Sequence, residues 1–288
     1  MAREIKKVLV IKLSAMGDFI LAFAAAKKIR EAHPRARITL LTTPPFEALA
    51  KLCPYFNEVE TDGRPEGLTQ WLTLVRRLRQ ARYDRVYDLQ TSSRSSMIFH
   101  GLQPFAPEWS GVALGCALPH RNSRRDRLHT LERHADQLKA AGIWPDAPTE
   151  PGSAPGPDVS WILRKMPAER PVAGGIQPRP YVLMAPGGSA HRPEKRWPVE
   201  AYGQLARNLY DAGFDIVIIG GPQESALARA IQKDVGKARD LTGRTDLARI
   251  AMLGAKAALV VGNDTGPVHL AAAAGPPLRQ QGTWPMNI

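Results

Sequence analysis

KKVLVIKLSAMGDFILAFAAAKKIREA, residues 6–32, predicts a strand, a loop and a helix in that order. The apolar, β-branched run from Val8 to Leu13 predicts a short strand. The spacing of apolar residues from Phe19 to about Ala32 predicts a helix, and small residues join the two. This is the opening of a strand–helix–strand unit, and ligands of such sheets bind at the carboxyl ends of the strands.

The same alternation continues along the chain. Further strands are predicted at Ile38–Thr43, Glu58–Thr61, Arg85–Leu89, Tyr181–Ala185, Phe214–Gly220 and Ala257–Val261. Further helices are predicted at Leu68–Arg82, Val199–Ala212, Gln223–Val235 and Val268–Ala274. Strands that alternate with helices indicate parallel sheets, so the fold class is α/β.

Proline, glycine and small residues interrupt the alternation at residues 144–158, WPDAPTEPGSAPGPD, where they exclude both helix and central strand. We therefore expect an N-terminal domain over residues 1–150, an interdomain region over 151–180 and a C-terminal domain over 181–288. The ending PPLRQQGTWPMNI, residues 276–288, has neither strand nor helix pattern. The second domain is therefore expected to be incomplete.

Composition narrows the class of protein. The 288 residues include 39 Lys and Arg against 27 Asp and Glu, a formal charge of +12, which favours an anionic partner. Only Cys53 and Cys116 are present, which predicts a reducing cytoplasm rather than a disulfide framework. Lys12 and Asp18 interrupt the apolar run that a signal peptide would need. No apolar run is long enough to predict a membrane span.

The first candidate site is the loop KLSAMGD, residues 12–18. An aspartate is ionised at neutral pH, so Asp18 could accept a proton as a general base. Alternatively, Asp18 caps the helix that follows. Lys12 could anchor a phosphate or pair with Asp18.

Two later loops carry the groups that a diphosphate needs. APGGSAHRPEKRWP, residues 185–198, offers glycines, the Ser189 hydroxyl and the Lys195 ammonium, although it lacks the Walker pattern. VVGNDTGPVHLAAAAG, residues 260–275, leads a strand through Thr265 and Gly266 into a helix start, which favours anions. His269 lies in its first turn. Asp264 could cap that helix, orient Lys195 or share a cation.

A weaker feature is IIGGPQESALA, residues 218–228, where Glu224 follows a Gly-Gly turn. Glu224 could accept hydrogen bonds from ribose hydroxyls, as acids in nucleotide-binding halves do. An ordinary acid at a helix start is the alternative.

The order of these motifs resembles glycosyltransferase family 9, the ADP-heptose:lipopolysaccharide heptosyltransferases, over residues 5–275. The resemblance implies a GT-B fold, with two Rossmann-like domains whose parallel sheets face a central cleft. It implies that an ADP-sugar donor binds the C-terminal half, that the acceptor binds the N-terminal half, and that the anomeric carbon is inverted. It makes Asp18 the catalytic base and assigns donor contacts to Ser189, Lys195, Glu224, Asp264, Thr265, Gly266 and His269.

The resemblance also implies how an acidic glycolipid acceptor is held. In DLQTSSRSS, residues 88–96, Arg94 corresponds to a basic residue of the family, and the acceptor set is completed by Lys12 and Arg133. His129 and Arg133 match the family's H-x-x-E-R pattern in the basic stretch 121–138, whose alternative is a solvated charged face. Such an acceptor predicts a cytoplasmic enzyme that lies peripherally on the inner face of the inner membrane.

The reaction that follows uses no obligatory cofactor, because the sequence spaces no carboxylates as a metal cage, although a divalent ion at Asp264 stays open. A nicotinamide-dependent oxidoreductase would need GxGxxG after the first strand, and SAMGD does not supply it. A nucleic-acid-binding module would need aromatic residues interleaved with Arg and Lys, so nucleic acid is not expected as a partner. A truncated homologue that binds nucleotide without catalysis is the remaining alternative.

Overall fold

A computed structural model describes residues 4–148, 150–165, 179–188 and 196–275. The chain divides into two compact units between Asp158 and Val159. The described residues leave out 166–178 of the predicted interdomain region and 276–288, on which the expectation of an incomplete second domain rests.

The first unit is a six-stranded parallel sheet in the order β3-β2-β1-β4-β5-β6. Its strands are β1 (Lys7–Ile11), β2 (Arg37–Leu41), β3 (Glu58–Glu60), β4 (Arg85–Asp88), β5 (Glu108–Gly111) and β6 (Leu118–Pro119). Its helices are α1 (Met16–Ala32), α2 (Glu47–Leu52), α3 (Leu68–Ala81), α4 (Ser93–Leu102) and α5 (Thr130–Ala140).

The second unit contains a four-stranded parallel sheet in the order β10-β7-β8-β9. Its strands are β7 (Tyr181–Ala185), β8 (Asp215–Ile218), β9 (Arg239–Asp240) and β10 (Leu259–Gly262). Its helices are α6 (Ser160–Lys165), α7 (Val199–Asp211), α8 (Ser225–Asp234), α9 (Leu247–Lys256) and α10 (Gly266–Ala274). In β7, Val182–Met184 are buried without remaining exposure, as expected of a central parallel strand.

The predicted first strand and helix both exist, with different bounds. β1 ends at Ile11, so Lys12 and Leu13 belong to the loop that follows. α1 begins at Met16 rather than at Phe19, which places Asp18 within the first turn. The sites are therefore positioned as expected, at the carboxyl ends of central parallel strands.

Candidate active site

The loop that follows β1 is held from both sides by its neighbours. Gln90, in the turn after β4, accepts hydrogen bonds at Oε1 from the backbone N–H groups of Leu13 (2.9 Å) and Ser14 (3.0 Å). From the turn after β2, the Thr42 hydroxyl donates to the Lys12 carbonyl at 2.7 Å. The backbone of the loop that delivers Asp18 is thus fixed by hydrogen bonds from the turns after both adjacent strands.

Asp18 is half-buried, and its carboxylate is oriented by α5. The Thr130 hydroxyl donates to Asp18 Oδ1 at 2.7 Å, and Arg133 Nη2 donates to the same hydroxyl oxygen at 3.3 Å. The residue at the helix cap is Ala15, whose side chain makes no capping hydrogen bond. The alternative interpretation of Asp18 as the helix cap is therefore wrong, because its oxygen accepts from Thr130 and its position is inside the helix.

Lys12 is buried under this loop rather than exposed beside it. Its ammonium donates to the Leu89 carbonyl at 3.2 Å. Burial lowers the pKa of Lys12 to about 8, with Asp18 and Asp88 opposing the shift and Arg133 adding to it. Lys12 therefore places a buried positive charge close to the Asp18 carboxylate.

Asp88, the last residue of β4, shapes the turn that carries Gln90. Its Oδ1 accepts from the backbone N–H groups of Gln90 (3.1 Å) and Thr91 (2.9 Å), and Thr91 adopts a left-handed φ of 45°. Burial raises the pKa of Asp88 to about 6, against hydrogen bonds that lower it. The hydrogen bonds of the turn therefore offset only part of the cost of burying this carboxyl.

The three predicted acceptor residues occupy different environments. Arg133 reaches Thr130 next to Asp18, and Lys12 lies beneath the same loop. Arg94 is exposed in the first turn of α4, and in the described part of the chain no hydrogen bond or ion pair joins it to Asp18. The structure therefore brings Lys12 and Arg133 to Asp18 but not Arg94.

In the second unit, Asn263 ties together the two ends of the predicted phosphate loop. Its Nδ2 donates to the carbonyl oxygens of Pro186 and Gly187, both at 2.9 Å, and its Oδ1 accepts from the Trp197 N–H at 3.0 Å. Ser189 and Lys195 belong to this loop and lie outside the described residues. Asn263 was not predicted, although it stands next to Asp264 in the motif.

Glu224 lies against the glycine turn that follows β7. A Cβ placed on Gly187 would be 2.6 Å from Glu224 Oε1, so the carboxylate occupies the space that a larger residue would need. The Gly221 N–H donates to the other carboxylate oxygen. Glu224 therefore lies between the turns after β7 and β8, and its bond from Gly221 is the capping bond expected of an acid at a helix start.

Asp264 and His269 form a pair at the start of α10. His269 Nε2 is 2.8 Å from Asp264 Oδ1. The residue at the cap is Thr265, which makes no side-chain capping bond, so the alternative of Asp264 as helix cap is wrong. Among the described residues no side chain accepts from the first N–H groups of α10, so a ligand or water can take them.

The sheet order gathers these features at one edge of the second unit. β7 lies between β10 and β8, and all three strands run parallel. The Asp264–His269 pair, the Gly187 turn and Glu224 therefore follow the carboxyl ends of neighbouring strands, where parallel sheets bind nucleotides. This arrangement can hold a diphosphate and its ribose.

Among residues 4–148, 150–165, 179–188 and 196–275, no three His, Cys, Asp or Glu side chains cluster as metal ligands. No helix in the described part of the chain is long and apolar enough to cross a membrane.

Comparisons with known proteins agree over most of the chain. The model of glycosyltransferase family 9 (heptosyltransferase) matches residues 71–278. Lipopolysaccharide heptosyltransferase 2 of Escherichia coli K12 is 27% identical over 298 residues, which cover 94% of this chain and 81% of that protein. Lipopolysaccharide core heptosyltransferase OpsX of Haemophilus influenzae is 22% identical, covering 95% of this chain and 78% of that protein.

Solved structures show the same similarity. E. coli ADP-heptose lipopolysaccharide heptosyltransferase II superposes with a TM-score of 0.72 at 25% identity, over 94% of this chain and 83% of that one. The E. coli heptosyltransferase WaaC, solved with ADP-2-deoxy-2-fluoro heptose, gives a TM-score of 0.68 at 21% identity, over 93% of this chain and 86% of that one.

Proposed function

The chain belongs to glycosyltransferase family 9, and we propose that it transfers a heptose from ADP-heptose to the inner core of a lipopolysaccharide acceptor. Membership confirms the predicted GT-B fold class and the predicted glycosyl transfer. It sets aside the nicotinamide oxidoreductase and the nucleic-acid-binding module. The observation that carries the assignment of roles is the Asp18 carboxylate, oriented by Thr130 at the carboxyl end of β1.

On the acceptor side, Asp18 serves as the general base. The acceptor hydroxyl oxygen attacks the anomeric carbon of the donor, the bond from that carbon to the diphosphate oxygen breaks, and ADP leaves with the electron pair. A carboxylate is a weak base, so the proton passes to Asp18 late, as the new glycosidic bond forms. The Thr130 hydrogen bond fixes the carboxylate for this transfer, and the attack inverts the anomeric carbon.

On the donor side, the second unit holds the diphosphate and the nucleoside. The N–H groups of Gly266 and Val268 at the start of α10 stabilise the phosphate charge that grows as ADP leaves, and His269 lies in the same turn. Glu224 accepts hydrogen bonds from the ribose hydroxyls. Ser189 and Lys195 complete the phosphate contacts in the proposal.

The partners follow from the reaction. The proposal names an ADP-sugar donor and an acidic glycolipid acceptor, with Arg94, Arg133 and Lys12 supplying positive charge on the acceptor side. It needs no cofactor, and the question of a divalent ion at Asp264 is answered by comparing turnover in EDTA and in magnesium. The cytoplasmic location at the inner membrane stays a prediction from the sequence.

A donor panel tests the proposal. The purified chain is incubated with ADP-heptose, ADP-glucose or UDP-N-acetylglucosamine and a heptose-free lipopolysaccharide, and the acceptor is weighed by mass spectrometry. We expect one heptose to be added from ADP-heptose only. If no donor adds mass while the protein still binds ADP, the chain is a nucleotide-binding homologue without this activity.

A further inference from the structure

The outer face of α3 and α4 carries apolar side chains on a charged surface. The inner faces of both helices are buried in one core with β1 and β4. On α3, Leu68, Leu72, Arg76 and Arg79 follow one another at i, i+4, i+8 and i+11, which places them along one stripe of the helix. None of the four belongs to that core.

α4 lies alongside this stripe. A Cβ added at Gly101 would be 2.7 Å from the Trp71 ring, and Arg79 donates to the Gly101 carbonyl at 2.8 Å. Arg94, Met97 and Gly101 are spaced i, i+3 and i+7, so they share the side of α4 that borders α3. The two helices therefore present one continuous surface.

The apolar residues of this surface are unusually exposed. Leu68 is 71% exposed, Leu72 53% and Met97 56%. Single exposed apolar residues are ordinary, but several on adjacent helices mark a surface that meets an apolar partner. We call Leu68, Leu72, Arg76 and Met97 the α3–α4 face.

The charge of the same segments has one sign. Residues 67–83 and 89–107 contain no Asp or Glu, whereas they contain Arg76, Arg77, Arg79, Arg82 and Arg94. Arg77 is paired with acids of a neighbouring segment, while Arg76, Arg82 and Arg94 are exposed. An apolar surface bordered by cations matches a bilayer that contains anionic lipid.

We infer that the α3–α4 face is the surface with which this protein lies on an anionic phospholipid bilayer. Leu68, Leu72 and Met97 enter the boundary between headgroups and acyl chains, and Arg76 meets lipid phosphate. The inference rests on the proposed function, because a glycolipid acceptor is presented in such a bilayer. Nucleic acid fits less well, since aliphatic side chains offer bases little to stack on.

Vesicle sedimentation tests the inference on the full chain. Vesicles of phosphatidylcholine alone are compared with vesicles containing about 30% phosphatidylglycerol, on the order of a typical anionic leaflet. We expect binding to the anionic vesicles only, and weaker binding in high salt. Arg76→Gln should weaken binding roughly fivefold, and Leu72→Gln with Met97→Gln roughly tenfold or more.

Two variants on other surfaces are matched controls. Leu163→Gln changes an apolar residue of α6, in the second unit, that is 39% exposed, and Arg229→Gln changes an exposed arginine of α8. Both should bind vesicles like the wild type. Equal binding by the α3–α4 variants, or a wild type that binds no vesicle or binds an oligonucleotide through Arg76 instead, would overturn the inference.

A second readout separates this inference from the proposed function. Deacylated, water-soluble lipopolysaccharide core needs no bilayer, so the Leu72 and Arg76 variants should transfer heptose to it at the wild-type rate. Loss of vesicle binding with retained transfer supports the α3–α4 face as a docking surface. Absence of transfer by every protein, including the wild type, would instead count against the proposed function.

Discussion

Replacing Asp88 by Asn should make the free energy of unfolding less dependent on pH. Asp88 is fully buried, and burial raises its pKa from 3.8 to about 6. Between those two pH values the folded chain binds the proton more tightly than the unfolded chain, so the stability of the wild type falls as pH rises. The loss of folding stability caused by the buried, ionised Asp88 is absent below pH 3.8 and complete above about pH 6.

The shift of about two pKa units corresponds to about 3 kcal/mol, of which about 2 kcal/mol develops between about pH 4.5 and pH 7.5. An asparagine keeps the oxygen that accepts from the Gln90 and Thr91 N–H groups but carries no charge. The free energy of unfolding is measured in urea by tryptophan emission at both pH values. Relative to the wild type, the Asp88→Asn variant should be more stable by about 2 kcal/mol more at pH 7.5 than at pH 4.5. Asp146→Asn, at an exposed position of the same unit, is the control. An equal difference at both pH values would refute the reasoning.

Three substitutions test the site itself. Thr130→Val should lower kcat roughly tenfold or more, because it removes a hydrogen bond to the Asp18 carboxylate. Thr130→Ser should keep the wild-type kcat, and neither substitution should change the affinity for ADP. An unchanged kcat in Thr130→Val would contradict this role. Gly187→Ala should weaken ADP binding in calorimetry roughly tenfold, whereas Gly236→Ala, which meets nothing within 4 Å, should not. Lys195→Ala should weaken ADP by roughly 1.5 to 3 kcal/mol, and equal affinity would reject its phosphate role.

The sequence predicts those helices and strands whose apolar residues recur with a clear helical or strand period. The predicted strand at Tyr181–Ala185 is confirmed without change. β5 (EWSG) and β6 (LP) are not predicted, because neither contains the β-branched apolar residues that indicate a strand. α9 was also missed, although Asp246 at its cap and its apolar spacing would have indicated a helix.

The residues that hold Asp18 and its loop in place could not be predicted from the sequence around them. Thr130 reaches Asp18 from 112 positions away, and Gln90 reaches Leu13 from 77 positions away. Such contacts depend on which strands and helices are neighbours, and motif spacing does not encode that. The burial of Lys12 could not be predicted either, because a lysine in a loop is ordinarily exposed.

The most direct test of the central claim is Asp18→Asn, which keeps the shape of the side chain and removes its capacity to accept a proton. Transfer of heptose from ADP-heptose, measured by mass spectrometry of the acceptor, should fall by a factor of roughly 100 to 10,000. The dissociation constant of ADP should stay within a fewfold of the wild type, because the proposal places the donor site on the second unit. Transfer at the wild-type rate would contradict the assignment of Asp18 as the base.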